Sequence, residues 1–195
     1  MWTFLSWLFK KSRGAPAAAA PAAPLATPSR DETVPAFGAL LDLLLRPLPA
    51  DDRTRLRAAC RAHHAAGLPP EVALMSGLSE AQRHGGWVLM QVDWKSADEV
   101  EWQAREIAAL HGIAVSYSCA VAGSPPSTVL VALRHFDDWL QPHGRRFVFL
   151  DLDADAYHGV VVACAEEAPV VALAKAAGVT LMSTPAFLRS QGESE

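Results

Sequence analysis

Two short runs in this 195-residue chain carry side chains suited to chemistry: Asp93-Trp94-Lys95, and the alternating acids Asp151, Asp153 and Asp155. A carboxylate beside a lysine on an extended segment can hold a divalent cation while the ammonium supports an attacking water. Side chains two apart share one face of a strand, so Gln91 and Asp93 project together, with Lys95 at the same end of the strand. If Asp151 and Asp153 end a strand nearby, then Asp93, Lys95, Asp151 and Asp153 are the candidate catalytic set of a small metal-dependent enzyme, with Ser118, Ser183 and Thr184 ending neighbouring strands. The acids at 151, 153 and 155 begin like a calcium loop, but the glycine and the later glutamate of such a loop are missing from their offsets. No two of the seven histidines form a His-x-x-x-His pair. The cysteines Cys60, Cys119 and Cys164 form no Cys-x-x-Cys pair, so neither a zinc site nor a disulfide framework is expected. Glycine-rich phosphate loops and the Gly-x-Ser-x-Gly elbow are absent too. The expectation is a chain without metal or cofactor.

Charge is unevenly distributed. The net charge is -4, yet residues 1–30 carry Lys10, Lys11, Arg13 and Arg30 and no acid, which leaves 13 bases, 21 acids and a net -8 for residues 31–195. An acidic globule repels phosphate backbones, so nucleic acid is not an expected partner. In residues 1–13, Thr3, Ser6, Lys10 and Arg13 form one polar stripe of a helical wheel, and Trp2, Phe4, Leu5, Trp7, Leu8 and Phe9 cover the rest. A stretch of nine residues cannot span a hydrocarbon core, which needs about 20. Secretory signals place their positive charge before the apolar run, whereas Lys10, Lys11 and Arg13 follow it. Residues 1–13 therefore read as an interfacial segment, with Trp2, Phe4, Leu5, Trp7, Leu8, Phe9, Lys10 and Lys11 as its lipid contacts. Docking of this basic segment on its own acidic domain is the rival reading. Residues 14–32, rich in alanine and proline, read as a disordered linker.

A single α/β domain is expected over residues 33–190. Helical spacing and stop signals place helices at 35–46, 51–66 and from 70 to about 84, an N-terminal helical cap. Residues 87–94 are apolar almost throughout, as a strand covered on both faces would be. Ser96-x-x-Glu99 reads as a capping box opening a helix that stops at Gly112. With a strand at 113–119, this predicts a β-α-β unit whose strands run parallel. A helix near 129–140, a hairpin of strands at 147–152 and 159–164, a helix at 166–177 and a strand at 179–182 complete a mixed, partly parallel five-stranded sheet with helices packed on it. Trp102 lies nearly opposite Val100, Ala104 and Ile107 on its helix, so with Trp94 and Trp139 it is a candidate partner-contact patch.

Two enzyme-like resemblances are partial. Phe149 to Asp153 is similar to the first motif of haloacid-dehalogenase-type phosphatases, but Asp155 stands where Thr or Val is usual and too little chain follows for that fold. Asp93-Trp-Lys95 has the form of a restriction-nuclease-like metal site without its preceding acid-bearing strand. More extensively, Trp87-x5-Asp93-Trp94-Lys95, the following Glu- and Trp-bearing helix and Leu150-Asp-Leu-Asp-Ala-Asp-Ala-Tyr157-His158 resemble an uncharacterised family of bacterial domains of unknown function, over residues 85–182. That resemblance implies a bacterial cytoplasmic setting and carries no activity. The functional expectation is a non-enzymatic adaptor or immunity-type domain that binds a protein partner, peripheral at the inner membrane. The metal-dependent enzyme above is the alternative.

Overall fold

A computed structural model describes residues 30–119 and 128–192; residues 1–13 and all but the end of the 14–32 linker lie outside them. Three helices open the described part of the chain: α1 (Arg30–Leu44), α2 (Ala50–Ala65) and α3 (Pro70–Gln82). Helix α1 starts earlier than the spacing predicts, and Pro35 lies inside it. Between α2 and α3 the backbones nearly touch, since a Cβ on Gly77 would stand 2.2 Å from Cys60 Sγ and 2.9 Å from its Cα. Strand β1 (Leu89–Asp93) and helix α4 (Ala97–Leu110) follow, then α5 (Val129–Leu140), β2 (Arg145–Leu150), β3 (Ala156–Ala163), α6 (Glu167–Ala176), β4 (Leu181–Ser183) and α7 (Thr184–Ser190). Ser96 stands at the α4 N-cap, but its hydroxyl makes no cap bond, so the expected capping box is not formed. Helix α7 went unforeseen although Ser183, Thr184 and Pro185 announce it: Ser183 Oγ accepts from Ala186 N at 3.4 Å, and the proline suits a first turn.

Among the described residues the sheet has four strands in the order β1-β3-β2-β4, and every pairing is antiparallel. This corrects the five-stranded, partly parallel sheet. Two features explain the difference. First, side-chain amides occupy the outer edge of β1: Gln82 Nε2 donates to Leu89 O (2.8 Å), Gln91 N donates to Gln103 Oε1 (2.9 Å), and Gln103 Nε2 donates to Gln91 O (2.8 Å). An edge satisfied in this way offers nothing to a neighbouring strand. Second, residues 113–119 spend their backbone groups on α4: Arg105 Nε donates to Tyr117 O (2.8 Å) and Cys119 N to Glu101 Oε2 (2.8 Å). Tyr117 is fully buried, and its hydroxyl donates to Ala132 O at 3.1 Å, which draws the segment down against α5.

Strand alternation divides the core into two. Leu89, Val148, Leu150, Val160 and Val162 pack with α1, α2, α3 and α6. Met90, Val92, Phe147, Phe149 and Val161 pack with α4, α5 and α7. The result is a three-layer α/β/α arrangement, each sheet face buried under helices.

Candidate functional site

Strands β1 and β2 each run antiparallel to β3, so their carboxyl ends meet at one edge of the sheet although they do not pair. The expected convergence of 91–95 with 151–153 at one edge therefore holds, through an intervening antiparallel strand. That strand also matters for metal binding: β1 and β2 lie two strand spacings apart, roughly 10 Å. Asp93 and Asp151 are committed locally. Asp93 Oδ1 accepts from Lys95 N (2.9 Å) while Ser96 N donates to Asp93 O (2.9 Å). Asp151 Oδ1 accepts from Asp153 N (3.2 Å), and Asp153 adopts a left-handed φ of 48°. Both are turns closed by an aspartate side chain. Among the described residues no group of three or more His, Cys, Asp or Glu is arranged to hold a metal ion.

The Asp93 turn directs Trp94 and Lys95 outwards. Trp94 is 51% exposed, and Lys95 Nζ lies 4.6 Å from the centre of its ring, a cation–π geometry. Register sets Tyr157 opposite Val92 and Ala156 opposite Asp93, so the two halves of the resemblance motif become neighbours. Beside them opens a cleft of about 390 Å³. Trp94, Lys95 and Ala97 form one wall, Tyr157 another, and the first turn of α5 (Val129 and Leu130, after Thr128) the third. Thr128 Oγ1 caps that helix by accepting from Val131 N at 3.2 Å. The walls are apolar or aromatic apart from Lys95 and Thr128. Asp93, Asp98 and Asp155 each stand within two residues of a lining residue.

The three tryptophans do not form one patch. Trp102 is 44% exposed, its ring set edge-on to Trp87 at 4.6 Å. Trp139 is half-buried, packed on Tyr117 (5.3 Å), Phe136 and His143. It also lies at the far end of α5 from the cleft, about 15 Å along the axis. Ser118 is exposed and near Glu101, whereas Ser183 and Thr184 serve α7 and the sheet. The lipid-contact residues Trp2, Phe4, Leu5, Trp7, Leu8, Phe9, Lys10 and Lys11 lie outside the described residues. Among the described residues no helix is long and apolar enough to cross a membrane.

Tyr157 and His158 diverge, as neighbours on a strand must. His158 is 4% exposed, its Nδ1 has no partner, and burial pushes its pKa down from 6.5 to about 4, with the Ala156 backbone acting in the opposite sense. The unfolded chain thus binds a proton more readily, so stability is full above pH 6.5 and falls as pH drops towards 4. His158→Gln is expected to remove about 2 kcal/mol of the stability lost between pH 7 and pH 5. Urea midpoints at the two pH values measure this; an unchanged pH slope would place the acid sensitivity elsewhere, for instance at half-buried His111, whose pKa burial also lowers to about 4.

A family profile described as a domain of unknown function, DUF6630, matches residues 40–185. This chain belongs to the DUF6630 family. The DUF6630 match runs from within α1 to the start of α7 and takes in the sheet and both helical layers, where the motif resemblance began only at residue 85. The cleft is therefore part of the DUF6630 domain. No curated protein and no solved structure matches the chain.

Proposed function

We propose that this domain is a non-enzymatic binding module, an adaptor or immunity-type protein that receives an aromatic side chain of a basic protein segment in the Trp94–Tyr157 cleft. Half-exposed Trp94 at a cleft of about 390 Å³ is the observation that carries the reading. Interface energy concentrates where an aromatic anchor fills a desolvated pocket ringed by polar groups. The volume falls within the range of ligand clefts. The carboxylates around it favour positive charge flanking the anchor, and Lys95, held over Trp94, can bend aside on its flexible stem. The metal-dependent alternative draws no support from Asp93 and Asp151, each of which closes its own turn. Residues 1–13 add the second part of the proposal: a location at a membrane surface.

A photo-crosslinking amino acid at position 95, in the cells that make the protein, identifies the partner. The adduct is expected to be a single protein joined through a basic, aromatic-bearing segment. Trp94→Ala should weaken that complex about 30-fold, the equivalent of a 2 kcal/mol hot spot. Its urea midpoint should stay unchanged, since Trp94 is exposed. An unaltered affinity in Trp94→Ala would eliminate the cleft as the binding site.

A further inference from the structure

Resting on the binding-module reading, we infer that in the free protein the cleft is occupied by residues 1–13 of the same chain. The segment has what the cleft asks for. It carries Trp2, Phe4, Trp7 and Phe9 as aromatic anchors and Lys10, Lys11 and Arg13 as flanking cations, with no acid. Around the cleft the charge has the opposite sign: Asp93, Asp98, Glu99, Asp153 and Asp155 stand at the same edge of the sheet, and Lys95 is the only base among the lining residues.

Reach is sufficient. The 16 residues between Arg13 and Arg30 extend to about 50 Å at about 3.1 Å per residue. A domain of this size is about 40 Å across, from a radius of gyration of about 15 Å. Tethering also sets the affinity required. A short linker supplies an effective concentration of about 1 mM, so an intrinsic Kd of about 0.1 mM fills the cleft roughly nine-tenths of the time. A weak contact is enough, and a partner or an anionic lipid surface then competes for one occupant.

The test uses the full chain. Zero-length carbodiimide coupling should join Lys10 or Lys11 to Asp98, Glu99, Asp153 or Asp155. Mixed isotope-labelled and unlabelled chains should show these links to be within one chain. In Trp2→Ala/Trp7→Ala the lysines remain, yet the links should fall about tenfold, and Trp94→Ala should have the same effect. A synthetic peptide of residues 1–13 should bind the double variant about tenfold more tightly than the wild type, because self-occupancy is gone. Links between chains, or links spread evenly to acids under the opposite sheet face such as Asp51, Glu71 and Glu80 and indifferent to the tryptophans, would overturn the inference. So would equal affinity of the peptide for wild type and double variant. Adding anionic vesicles separates the membrane reading: links that disappear show transfer of a docked segment to lipid, and links that persist keep the docking while removing the membrane. Failure of the binding-module reading looks different, with no partner adduct at position 95 even in the double variant whose cleft is free.

Discussion

Asp137→Ala is expected to lower the unfolding free energy by about 3–5 kcal/mol, the scale of breaking a buried ion pair from one side. Asp137 is 2% exposed on the inner face of α5. Its carboxylate accepts from Arg146 Nε (3.1 Å) and Nη2 (2.8 Å) and from the Phe147 amide (2.7 Å). Strand β4 stops short here, pairing with β2 only at residues 148–150, so Phe147 N has no ladder partner and the carboxylate replaces one. Thr184 Oγ1 completes the substitution by donating to Phe147 O at 3.0 Å. Burial raises the Asp137 pKa, opposed by the Phe147 amide and by Arg146. The pair as a whole is therefore a modest source of stability, but removing the acid leaves a buried N–H unpaired and the guanidinium with only Glu167, 3.8 Å away. Asp137→Asn, which keeps an oxygen for the Phe147 amide, should cost about half as much. Urea unfolding with an unchanged m-value measures both; a loss below about 1 kcal/mol for the alanine variant would mean that water takes over the carboxylate's role.

Gly159→Ala is expected to cost about 1–3 kcal/mol through collision rather than through lost contacts. A Cβ at this position would stand 2.2 Å from Phe147 Cζ and 2.8 Å from both Cε atoms. The ring cannot simply move, because it is 1% exposed and held by Phe136 (5.8 Å between ring centres) and Phe149 (4.9 Å). An aromatic ring laid across a bare glycine on the next strand is a packing solution that fixes register as well as filling space. Phe147→Leu alone should also destabilise, by leaving a void over Gly159. Combined with Gly159→Ala it should lose less than the sum of the two, with a coupling of at least about 0.5 kcal/mol. Strict additivity in the double-mutant cycle would show that the ring and the glycine do not oppose one another.

Much of this could be read along the chain. The helices around Leu40 and Ile107 declare themselves by apolar spacing, with Pro47 and Gly112 as stops, and the one around Leu56 by its leading acids and Gly67. The β2–β3 hairpin follows from two apolar runs around a polar loop, and the arrival of Asp93 and Asp151 at one sheet edge was foreseen as well. Asp137 was legible but unused: on α5 it shares the face of Leu130, Leu133 and Leu140, and a lone acid on an apolar face asks for a buried partner. The acidity of residues 31–195 and the basic, aromatic character of residues 1–13 are facts of sequence alone, as is the absence of the common nucleotide and hydrolase motifs.

Tertiary structure decided the rest. Residues 113–119 have the composition of a strand, and local spacing cannot show that Gln82 and Gln103 already occupy the edge they would need or that Tyr117 is drawn beneath α5. With that strand gone the sheet becomes antiparallel, and Tyr157 comes to stand beside Trp94 across the β1–β3 register. Periodicity fixes which face a side chain takes on its own element, because that depends on neighbours three or four residues away. Which element covers that face depends on backbone and side-chain groups far off in sequence competing for the same hydrogen bonds.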